Sequence, residues 1–178
     1  MLNVFYSEVS PILISRFKER EETVKGDIFN VYISILQQTR PFILKSKPLN
    51  DSQTMKELEE RPVASLKGQI GSIVKAIQKL LKFKNAKTRQ GCFSLLTQLV
   101  NVLPGALQNH LTQIIPGVSY SLNDKNSTSN MKIDTLNFLN HLLLTHDEHL
   151  FHPYLDSIIH VINKFFFKFK MRNINFFK

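Results

Sequence analysis

Four sets of residues have the types and spacing that chemistry could use. Cys92 is the lone cysteine of the chain, which excludes an intrachain disulfide. As a nucleophile it would need a positioned base and an electropositive, open setting. It stands instead just before Phe93 in an apolar stripe, where a small packing residue is expected. The string HDEHLFH sets His146, His149 and His152 beside Asp147 and Glu148. It lacks the HExxH spacing that places two imidazoles one helical turn apart, and it runs into Pro153, so convergence on a metal is not expected. Gly68 and Gly71 in GQIG are not followed by the Gly-Lys-Ser or Gly-Lys-Thr ending of a phosphate loop. These patterns assign no catalytic residue and imply no cofactor or metal.

The fourth set is basic. The 178 residues carry a net charge of +9, and the charge is unevenly placed. Between 61 and 123 there are 8 lysines and arginines and no acid, and a further 5 bases fall in 163–178. Lys75, Lys79 and Lys82 lie at i, i+4 and i+7, opposite Ile73 and Ile77, and Lys84, Lys87 and Arg89 carry the charge through the following turn. Such a ridge is either a solvated helix face or a docking surface for an acidic protein. Nucleic acid fits less well, because no series of aromatic residues accompanies the lysines to stack bases.

The elements that must position these residues are helices. Apolar residues recur at three- and four-residue spacing nearly throughout, and no segment sustains strand-like alternation. The stripes also repeat. With Lys25, Arg89 and Lys132 in one column, Phe29, Phe93 and Leu136 share another, as do Val31, Leu95 and Phe138. The columns Tyr32, Leu96, Leu139 and Ile35, Leu99, Leu142 and Leu36, Val100, Leu143 are likewise apolar. The 43-residue offset between the second and third copies lies in the range of HEAT and armadillo units. An all-α solenoid follows, with helical hairpins at about 5–38, 66–103 and 107–145, a partial fourth at 151–162, and these units together forming a segment 1–162.

Between the first and second hairpins, Pro41 to Pro62 reads as an inserted surface loop holding at most a short helix at 52–60. Pro116 should kink the first helix of the third hairpin, and Pro153 suits the first position of a following helix. Asn163 to Lys178 breaks every column: six Phe, four Lys and three Asn fill thirteen of its sixteen positions. It reads as an aberrant or disordered basic-aromatic tail, such as translated AT-rich noncoding sequence. No run of about 18 apolar residues or signal peptide is visible, so the chain reads as soluble and intracellular, with the sequons at Asn50 and Asn126 unused.

The strings ISRFKEREETVKGDIF, QQTRP, KTRQGCFSLLTQLVNVLPGAL and SLNDKNSTSNMKIDTL closely resemble an internal stretch of the cullin-associated neddylation-dissociated protein family, from about Tyr6 to Val161. The resemblance implies a non-enzymatic HEAT solenoid of the cytoplasm and nucleus. Its partner would be a cullin-RING scaffold without the ubiquitin-like modifier, on which it exchanges substrate adaptors. Nucleic acid, membrane and small-molecule substrates are not implied. By the same resemblance the second helices line the inner face, offering Gln90, Ser94, Gln98 and Asn101 beside the basic set. A nuclear transport receptor fragment and a nucleic-acid-binding solenoid are the competing readings.

Overall fold

The computed structural model describes residues 2–45, 53–160 and 162–163 of the chain, and these are helical with short turns between helices. The first helix, α1, spans residues 2–16 and includes a π turn at Phe5–Val9. It is followed by α2 at Glu22–Lys45, α3 at Gln53–Ile77 with a 3-10 turn at Leu80–Lys82, and α4 at Ala86–Val102. Then come α5 at Leu111–Asn123, α6 at Ser129–Thr145, a 3-10 stretch at Glu148–Tyr154, and a last helical segment at 155–160, α7. Pairs α1/α2, α3/α4 and α5/α6 are the three hairpins. The second helices α2, α4 and α6 pack on one another along their lengths, whereas the first helices α1, α3 and α5 touch more sparingly.

Local sequence sets the turns. Asn85 caps α4 by accepting from the N–H groups of Lys87 and Thr88, at 2.9 and 3.3 Å, satisfying two donors that the first turn leaves orphaned. Thr128 does the same for α6 through the N–H of Met131. Helix α4 stops at Leu103, where Pro104 has no N–H to continue the ladder and Gly105 takes a φ of 78° that a side chain would resist.

The core is continuous through the array. Between α1 and α2 it is aromatic: Phe17 lies 5.0 Å from Phe29 and 5.6 Å from Tyr32. The buried hydroxyls there are paired, Tyr6 with Thr39 at 2.7 Å and Tyr32 with Ser10 at 2.8 Å, as burial of a polar group requires. Between α4 and α6, Phe93 and Phe138 meet at 5.5 Å. Two glycines let helices approach closely. A Cβ on Gly117 would stand 2.5 Å from Leu81 Cβ, and one on Gly91 would stand 2.7 Å from the Phe29 ring.

Two expectations from the prolines need correction. The supposed loop 41–62 is helical at 41–45, where α2 continues through Pro41, and again from Gln53, with Pro62 buried inside α3. Residues 46–52 of it lie outside the described residues. Proline removes one backbone donor, but packing of the flanking turns carries a helix past it. Pro153 sits within the 3-10 stretch before α7 rather than opening that helix, while Pro116 does fall inside α5, on its exposed side. The basic-aromatic tail from residue 164 onward lies outside the described residues.

Candidate protein-binding surface

The residues singled out in sequence fall on two different layers. Lys75, Lys79, Lys82, Lys84 and Lys87 are exposed. Lys75 belongs to α3, Lys79 and Lys82 to the turns after it and Lys84 to the connection into α4, so these four edge the first-helix layer, whereas Lys87 stands in the first turn of α4. Because α3 ends at Ile77, Lys79 and Lys82 lie beyond it, and the three-lysine stripe of one helix becomes a bend. Gln90, Ser94, Gln98 and Asn101 lie on α4, in the second-helix layer. The two sets do not form one site.

Arg89 must be removed from the surface set. It is fully buried, its Nη1 donating to the Phe83 carbonyl at 2.7 Å and its Nη2 to Asp124 Oδ2 and Ser127 Oγ, both at 2.8 Å. Its guanidinium also lies 5.3 Å from the Tyr120 ring centre. A buried guanidinium needs its charge and most of its donors matched; here Nη1 and Nη2 are bonded while Nε has no partner, and the match joins the second hairpin to the turn of the third. Lys25, in the same column, is a smaller version: 3% exposed, bonded to Glu22 at 2.7 Å and 5.1 Å from the ring centre of Phe83 in the next hairpin. Thr88 donates to Glu22 across the same seam. Burial pushes the Asp124 and Glu22 carboxyls up, but their hydrogen bonds and cationic partners outweigh it, and both titrate below the usual carboxylate range.

The second-helix layer carries a polar groove of about 450 Å³ between α4 and α6, lined by Ser94, Thr97, Gln98, Asp134, Asn137 and His141, with Ile33 and Phe93 at its base. At one end Gln90 donates its amide to Asp134 at 2.5 Å, so that side chain is already engaged. Ser94 and Gln98 open onto the groove, and Asn101 is half-buried further along α4. The residues named from the resemblance did not include Asn137 and His141. The repeat offset contained them, because 43 residues separate Ser94 from Asn137 and Gln98 from His141. With Asn30 and Ser34 of α2, these make two polar columns, Asn30, Ser94, Asn137 and Ser34, Gln98, His141, crossing three second helices.

The other chemical candidates take structural places. Cys92 is fully buried, and burial pushes its thiol far up. His146 turns inward: its Nε2 accepts the Leu107 N–H at 3.0 Å and its Nδ1 faces the Leu142 carbonyl at 3.0 Å, leaving His149 and His152 to stack edge to face, 5.1 Å apart. Burial lowers the His146 pKa. Among the described residues no helix is long and apolar enough to cross a membrane.

Stacked antiparallel hairpins with a continuous core and a polar second-helix face define an α-helical repeat protein. The comparisons with known proteins narrow this. A family model described as CAND1-like, TPR repeats, matches residues 105–167. The chain is 51% identical over 158 residues to Cullin-associated NEDD8-dissociated protein 1 of Drosophila melanogaster. It is 41% identical over 161 residues to Cullin-associated NEDD8-dissociated protein 2 of Mus musculus, and 43% identical over 158 residues to protein 1 of Arabidopsis thaliana. Each match covers 89% of this chain but only 12 to 13% of the relative. The chain is thus similar to proteins named Cullin-associated NEDD8-dissociated protein, and it spans about one-eighth of the length of these relatives.

Proposed function

We propose that the chain is a non-enzymatic docking segment of a cullin-binding regulator, acting in cytoplasm and nucleus on cullin-RING ubiquitin ligases. In this reading its second-helix face lies against a cullin that lacks the ubiquitin-like modifier, and the contact contributes to exchange of substrate adaptors. The observation that carries it is the pair of polar columns across α2, α4 and α6, in a chain whose relatives are named for association with cullins. Short polar side chains over close-packed helices give a surface whose hydrogen-bonding groups a partner backbone can reach. Lys75, Lys79, Lys82, Lys84 and Lys87 stand outside that face and border it only at the turn into α4.

The test is capture of purified unmodified cullin by the purified chain, beside the same cullin carrying the modifier. Retention of the unmodified form alone is expected, weakened by Ser94→Arg and Asn137→Arg, which fill the groove. Equal capture of both forms, or no effect of either arginine, overturns the assignment.

A further inference from the structure

The first-helix edge carries a second surface, independent of the polar columns. Phe83 is 43% exposed, although it stands between Lys82 and Lys84 in a turn that has packed every nearby leucine at least partly away. Its position is fixed from several directions. The carbonyl of Phe83 accepts the buried Arg89 Nη1, its N–H donates to the Leu80 carbonyl at 3.0 Å, and the ammonium of buried Lys25 lies 5.1 Å from its ring centre. The backbone there is extended, with φ −70° and ψ 148°, between the 3-10 turn and the cap of α4. An aromatic ring held this firmly loses little freedom when something covers it, which is the property of a binding hot spot.

Among the described residues, the surrounding Lys75, Lys79, Lys82, Lys84 and Lys87 are all exposed and make no ion pair, although Glu22 and Asp27 line the hollow that Lys87 borders. The sequence supplies no acid between 61 and 123, so no near neighbour along the chain can answer them. Like charges this close repel one another, and an external anion relieves the repulsion.

We propose that the turn 80–87 is a docking site for an acidic polypeptide segment that bears an apolar side chain: the apolar group covers Phe83 while its carboxylates meet the lysine rim. One ring, rather than a row of rings, matches one apolar anchor and does not match the successive bases of a nucleic acid strand. A single exposed aromatic likewise lacks the broad apolar face with which a helix enters a membrane surface.

The site is tested with the full chain and a short fluorescein-labelled peptide of glutamates with two central leucines, read by fluorescence anisotropy. The controls are the same peptide with serines for leucines, an oligothymidylate of equal charge, and phosphatidylserine vesicles. The leucine peptide is expected to bind most tightly, to weaken with salt, and to lose about tenfold in affinity with Phe83→Ala. The pair Lys82→Glu and Lys84→Glu, both in solvent and read beside circular dichroism to confirm folding, is expected to do the same. Lys125→Glu, a single charge reversal on another turn and half the change of the pair, is expected to leave binding unaltered. Equal or tighter binding of the serine peptide, the oligothymidylate or the vesicles overturns the proposal, as does full affinity in either the Phe83 or the double-lysine variant. Cullin capture is a separate readout, so its failure leaves this result standing.

Discussion

Helix α4 and helix α6 carry the same columns and bury them differently. In α4, Leu95, Leu96, Leu99 and Val100 are all fully buried, because α2 packs on one side and α6 on the other. In α6, Leu139 and Leu142 are buried, yet Leu143, which shares a column with Val100, is 42% exposed and Leu144 is 75% exposed. The same pattern marks the other flank, where Val31 of α2 stands half-exposed in the column of buried Leu95 and Phe138. Residue type therefore does not decide burial in a stacked array; the number of neighbours does.

The largest way to break this comparison is at the seam that encloses α4. Arg89→Ala should destabilise the fold by about 3–5 kcal/mol, because it leaves Asp124, Ser127 and the Phe83 carbonyl without their partner. Urea denaturation measures it, and a loss under about 1 kcal/mol would mean the seam is hydrated. Next, Leu99→Ala should cost about 2–5 kcal/mol, whereas Leu144→Ala should stay within about 0.5 kcal/mol. Equal losses by the same assay would show α6 to be as enclosed as α4.

Smaller effects sharpen the picture. Gly117→Ala should cost about 1–3 kcal/mol, since the new methyl meets the Cβ of Leu81 and the two helices must separate. Gly26→Ala, in α2 with no atom within 4 Å of its would-be Cβ, should instead gain about 0.5–1 kcal/mol from helix propensity. Opposite shifts in melting temperature are the expected readout.

The smallest effect is one of pH, at the C-terminal end of α6. The folded protein holds His146 neutral, below its ordinary 6.5, so the unfolded chain takes up the proton first as acid is added. Stability is then complete above about pH 6.5 and falls as pH drops below it toward the folded value. His146→Gln, which can still accept the Leu107 N–H, should flatten this part of the melting profile between pH 7.5 and 5.5. An unchanged slope would remove His146 as its source.

Most of the architecture was legible because a repeat writes its period into the sequence several times. The columns of Phe29, Phe93 and of Leu99, Leu142 located the second helices directly. Proline misled at 41–62, since a missing donor is a local cost and helix continuation is a tertiary gain. The candidate surface was half legible. Ser94 and Gln98 were found on α4, but which layer Lys75 or Lys79 would join depends on how hairpins stack, which no single stripe records. Arg89 had stood in one column with Lys25 and Lys132. A cation recurring at a core-adjacent register signals an internal partner as readily as an external one, and only the position of Asp124 distinguishes them.

The buried guanidinium also bears on the order of folding. Arg89 finds one partner only six residues away, at Phe83, and the others 35 and 38 residues ahead, at Asp124 and Ser127. The second hairpin therefore cannot complete its own interior until the loop of the third has closed, and a chain of otherwise local contacts acquires a long-range step. Folding that proceeded hairpin by hairpin would leave the guanidinium hydrated and bonded only to the Phe83 carbonyl until the third hairpin covered it. The two hairpins should instead form together, with Arg89→Met trading the delay for a seam that closes on apolar contact alone.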